Sequence, residues 1–97
     1  MPDVEETAAL LTTELVTNAV RASAPPDSGD VPVVRLWMRC DRVSIVIHVW
    51  DGSEEMPIRR DAGPGAESGW GLMLVNSLSK EWGAHRTAGG KVVWVML

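Results

Sequence analysis

Ninety-seven residues suffice for one domain with its own core and no need of a disulfide or structural metal, and 45% apolar content is ordinary for a folded chain. Thirteen acidic against nine basic side chains give a net charge of −4 and a pI near 5.0, which argues against the basic field of a nucleic-acid groove. No apolar run approaches the ~20 residues needed to cross a bilayer, no signal peptide opens the chain, and the lone Cys40 excludes an intrachain disulfide or Cys-based metal site, so a soluble cytoplasmic domain is expected.

Val4 to Ser23 is predicted to be a helix. Asp3 is placed to cap it, and Glu6, three residues on, completes the spacing of a capping box. Ala8, Leu11, Leu15, Ala19 and Ala22 fall on one stripe that Val16 and Val20 widen. The next seven residues, Ala24-Pro25-Pro26-Asp27-Ser28-Gly29-Asp30, form a loop, since paired prolines cannot continue a helix. Val33 to Cys40 alternates, with Val34, Leu36, Met38 and Cys40 on one side and Arg35, Trp37 and Arg39 on the other. That pattern puts Cys40 at the end of an apolar strand, where a packed thiol is expected. After Asp41-Arg42 the run from Val43 to Trp50 alternates again, predicting a β-hairpin.

Residues 51–69 are rich in Gly, Pro and charge and carry no apolar period, so they read as a loop or lid. Leu74, Leu78 and Trp82 recur at helical spacing beside Val75, predicting a second helix from Leu72 to Trp82. Ala84 to Ala88 and Lys91 to Leu97, joined at Gly89-Gly90, make a second hairpin. The expected architecture is α+β: a single domain over 1–97 in which helices cover one face of a mixed, mostly antiparallel four-stranded sheet as a two-layer sandwich, with a lid at 52–70. Trp37, Trp50, Trp70, Trp82 and Trp94 are spaced too irregularly for a repeat and suit the core or a sheet face.

Three places carry residues suited to chemistry. Glu14 and Asn18 stand four apart on the first helix and so project side by side. A carboxylate beside an amide oxygen suits Mg²⁺ and proton abstraction, although the same pair also serves a merely solvated helix edge. Asp51-Gly52 follows the strand residues Ile47 to Trp50. An acid there can accept a hydrogen bond from an exocyclic amine while Gly52 lets a ring approach the backbone; Asp-Gly is equally a common turn pair. Gly69-Trp70-Gly71-Leu72 opens the second helix, where unpaired N–H groups favour phosphate, or where glycines act as a hinge. Arg59 and Arg60 of the lid could meet phosphates or remain solvated.

In this order the segments resemble the GHKL (Bergerat-fold) ATPase superfamily, and within it the bacterial anti-sigma-factor serine kinases and similar small actinobacterial regulators. Glu14-Leu15-Val16-Thr17-Asn18 resembles the N box, Val49-Trp50-Asp51-Gly52-Ser53 the first glycine box, Gly69-Trp70-Gly71-Leu72 the second, and Gly90-Lys91-Val92-Val93-Trp94 the closing strand. The resemblance implies ATP and Mg²⁺ as cofactors. It assigns Glu14 as general base, Asn18 as metal ligand, Asp51 with Gly52 as the adenine site, and Gly69, Gly71 and Leu72 as the phosphate cradle. It further implies phosphorylation of a Ser on an antagonist protein, with partner switching between that antagonist and a sigma factor.

The chain departs from the family's pattern in three ways. Asp51-Gly52-Ser53-Glu54-Glu55 lacks the later glycines of the first box. Val92 is taken to stand where relatives often place a Thr that helps hold adenine. Relatives also carry a strand and helix before the N-box helix, so an N-terminally shortened fold with an open sheet edge is expected, and with it a homodimer or partner along that edge. Two other functions fit the same residues: a non-catalytic module that binds ATP, a sigma factor or an antagonist, and the ATP-binding fragment of a two-component histidine kinase. Neither His48, in a strand, nor His85, near a turn, sits on a dimerising phosphoacceptor helix.

Overall fold

Asp3 starts the first helix. The computed structural model of the chain describes residues 3–23, 29, 31–53 and 75–97, and α1 spans Val4–Ser23. The Asp3 carboxylate accepts the Glu6 N–H at 2.8 Å, and its carbonyl accepts the Thr7 N–H at 3.0 Å. An otherwise unpaired donor of the first turn is thereby satisfied. Glu5 and Glu6 at the start and Arg21 in the last turn complement the helix dipole. Leu11, Leu15 and Ala19 are buried as their stripe predicts, with Ala8 and Val16 packed beside them, whereas Val20 points outward at 39% exposure.

Two antiparallel hairpins supply the sheet. Strands β1 (Val34–Cys40) and β2 (Ile45–Asp51) pair from Val34 opposite Asp51 to Cys40 opposite Ile45. Their turn is longer than the sequence suggests. The Asp41 carboxylate gathers the amides of Val43 and Ser44, both at 2.8 Å, so Val43 belongs to the turn and is exposed. Strands β3 (Glu81–Thr87) and β4 (Gly90–Met96) close over Ala88-Gly89, with Gly89 at φ 82°, the left-handed backbone that the third position of a type II turn requires. The strand order is β1-β2-β4-β3, and every described pairing is antiparallel.

Register then divides the sheet into two faces. Ile47 and Val49 of β2 and Val95 of β4 meet Leu11, Leu15 and Ala19 of α1 together with Val75, and these residues form the core. Each large apolar side chain so buried contributes about 1.5–3 kcal/mol. On the far face Trp37 stacks on His48 with ring centroids 4.9 Å apart, the Arg35 guanidinium lies 5.4 Å from the Trp50 ring centroid, and Trp50 Nε1 donates to Thr87 Oγ1 at 3.0 Å.

Two further expectations are corrected. The second helix does not reach Trp82. Helical residues end at 78, Lys80 N–H bonds to the Met96 carbonyl at 2.8 Å, and Trp82 lies in β3 opposite Val95. Leu74-Leu78-Trp82 spacing fits a helix, but Trp82-Ala84 also alternates as a strand, and pairing with β4 decides; residues 72–74 lie outside the described residues. Cys40 is exposed rather than packed. It sits on the edge strand β1, which α1 barely reaches because the helix lies mainly over β2, and Leu36 and Met38 are left about half exposed for the same reason.

Candidate functional site

Asp51 is the last residue of β2 and alternates with Val49 and Ile47, so it shares their helix-facing side at the end of a central strand. At 1% exposure it is no ordinary turn aspartate. Burying a carboxylate is costly unless it is paired and hydrogen-bonded. Here the Lys91 ammonium lies 3.0 Å from Asp51 Oδ1, and the Ser53 N–H donates to the same oxygen at 2.8 Å. The β2–β4 register sets Lys91 directly opposite Asp51, and Lys91 is itself only 4% exposed.

The same register corrects the expectation about Val92. Val92 stands opposite Trp50 and therefore faces the other side of the sheet, so the closing-strand residue beside Asp51 is Lys91. Gly90 makes this approach possible. A Cβ on Gly90 would fall 2.1 Å from the Asp51 carbonyl oxygen, closer than any side-chain carbon is tolerated. The sequence places Gly90 and Lys91 in the closing strand but does not single out either as a site residue. The available signal was a lone Lys in the alternation slot shared with Val93 and Val95.

Gly52 is exposed, and a Cβ there would meet Gly89 O and the Trp50 ring only at 3.8 Å. Its small size is not demanded by the described packing. Glu14 and Asn18 lie side by side on one flank of α1, half-buried beside Leu15 and Ala19 of the core. Among the described residues, no hydrogen bond or ion pair engages either side chain. Among the described residues no three His, Cys, Asp or Glu side chains gather into a metal cluster. The Glu14 carboxylate and the Asn18 amide oxygen are hard oxygen donors of the type that Mg²⁺ takes. Gly69, Gly71 and Leu72 of the expected phosphate cradle, with Arg59, Arg60 and the lid beyond Ser53, lie outside the described residues.

Amides of Val43 and Ser44 bonded to Asp41 hold its carboxyl below the usual 3.8. On the far face, burial first, and then the charges of Arg39 and His85, keep His48 below 6.5. His48 Nδ1 is shut off from solvent and has no hydrogen-bond partner among the described residues. His85 belongs to β3, so neither histidine lies on a helix.

An open antiparallel sheet with helical residues packed on one face, and an acid held at the end of a central strand, define an α+β sandwich of the GHKL kind. The chain matches the model of the histidine kinase-like ATPase domain over residues 2–97, and it belongs to that family. Its ligand class is accordingly ATP. No curated protein matches the chain at a significant level. Among the described residues no helix is long and apolar enough to cross a membrane.

Proposed function

We propose that this domain binds Mg·ATP between α1 and the end of β2 and acts in the cytoplasm as an anti-sigma-factor serine kinase that works by partner switching. The observation that carries the reading is the sequestered Asp51 carboxylate, on the helix-facing side of a central strand and fixed from two directions. A turn aspartate needs no such enclosure; a residue that reads a base does, because its hydrogen bond counts for more away from water. Asp51 accepts from the adenine 6-amine, and Gly52 lets the ring lie against the backbone. Gly69, Gly71 and Leu72 are assigned to the phosphates through their sequence pattern. A Mg²⁺ bound through the Asn18 side-chain oxygen and phosphate oxygens would neutralise phosphate charge.

For transfer, Glu14 takes the proton of a partner's serine hydroxyl. The serine oxygen bonds to the γ-phosphorus as the bond to the β-phosphate oxygen breaks, and ADP leaves. The partners in this reading are a sigma factor and an antagonist protein that carries the serine.

Titration of Mg·ATP into wild type, Asn18→Ala and Asp51→Asn, followed by phosphotransfer with Glu14→Ala, tests the proposal. Saturable binding by wild type, weakened at least about tenfold in the first two variants, is expected. Loss of transfer with retained binding is expected for Glu14→Ala. Binding by wild type without transfer to any antagonist would instead support the non-catalytic module.

A further inference from the structure

Lys91 is the least expected residue of this site. A lysine nearly excluded from water, on a strand whose same-side neighbours are Val93 and Val95, requires a reason. Its ammonium carries three donors, and among the described residues only one acceptor is supplied, Asp51 Oδ1 at 3.0 Å. On the other side of the pair, Asp51 has up to four acceptor positions over two oxygens, and the two described bonds both fall on Oδ1. The pair therefore offers, side by side, spare donors and spare acceptor capacity in a buried place.

That is the complement of one edge of adenine, on which the donating 6-amine stands beside the accepting N1. We propose that Lys91 is a second base-reading residue, whose ammonium donates to adenine N1 while Asp51 accepts from the neighbouring amine. The proposal rests on the ATP-binding reading above and deepens it by assigning the recognition of N1 to a charged side chain. Lys91 retains its bond to Asp51 in the complex, so the two side chains act as one recognition element. Gly90 belongs to the same device, because only a residue without a Cβ lets the start of β4 bring Lys91 against Asp51.

The test compares ATP with 1-deaza-ATP, which keeps the 6-amine and loses the N1 acceptor, in calorimetric titrations of wild type and Lys91→Met with Mg²⁺ present. A charge-assisted bond to N1 predicts that wild type binds the deaza analogue about tenfold or more weakly, and that Lys91→Met binds the two within about twofold of each other. Because the readout is a ratio within each variant, a general loss of affinity in Lys91→Met does not imitate it. Should Lys91→Met fail to fold, wild type still decides. The chain has two lysines, Lys80 and Lys91, so ¹⁵N-lysine labelling gives two ammonium signals. The Lys91 signal should shift with ATP and not with 1-deaza-ATP, with exposed Lys80 as the internal control. Equal affinity of wild type for both nucleotides, an unchanged ratio in Lys91→Met, or identical Lys91 shifts would overturn the inference and leave ATP binding intact. Failure of wild type to bind ATP at all would overturn the ATP reading itself, and this inference with it.

Discussion

His48 shows how one side chain ties the sheet to pH. Its imidazole lies flat against Trp37, its Nδ1 is out of reach of water, and Arg39 and His85 oppose a further positive charge nearby. Folding therefore holds it neutral at pH values where the unfolded chain would protonate it. Below the unfolded value of 6.5 the unfolded state binds more protons, so the stability present above that pH is lost as pH falls toward the lowered folded value. Urea midpoints should drop between pH 7.5 and pH 5.5, and His48→Phe, which keeps a ring on Trp37, should flatten the drop. An equal drop in that variant would place the effect elsewhere. Asp41 acts at more acidic pH in the same direction, since its carboxyl is held low by the turn amides.

Among the elements, β4 makes the strictest local demand. Gly90 must be bare for its strand to pass the Asp51 carbonyl. Gly90→Ala should cost about 2 kcal/mol or more and disturb the Asp51–Lys91 pair, whereas Gly52→Ala, with room around its Cβ, should leave stability nearly unchanged. Thermal or urea unfolding of the two variants checks the contrast, and equal effects would contradict it. Where a local interaction is decisive, the elements were legible in the sequence. Asp3 and Glu6 mark the start of α1, and the alternation around Ile47 and Val49 marks β2. Legibility failed where pairing decides. Trp82 satisfied a helical period and a strand period at once, and only β4 chose between them. Leu36, Met38 and Cys40 alternate like core residues, yet alternation does not say which strand lies at an edge. Lys91 and Val92 are adjacent in sequence, and only register shows which of them stands beside Asp51.

At the scale of the whole molecule, helical residues cover one face of a sheet whose described edges are β1 and β3. An edge strand leaves a row of backbone donors and acceptors unpaired, and natural proteins pair or cover such rows. On β1 that row runs beside half-exposed Leu36 and Met38. We therefore expect a second copy or a protein partner to add along an edge, and sedimentation equilibrium of the chain alone should show a mass that rises with concentration. A constant monomer mass without a partner, unchanged by Arg or Lys in place of Leu36, would argue against self-association.

The central claim is that one nucleotide joins α1 to the end of β2. Calorimetric titration of Mg·ATP into wild type, Asn18→Ala and Asp51→Asn tests it most directly, with circular dichroism confirming that all three are folded. The account predicts one saturable site in wild type and a loss of at least about tenfold in each variant. Wild-type affinity in folded Asn18→Ala and Asp51→Asn, or no binding by folded wild type, would contradict it.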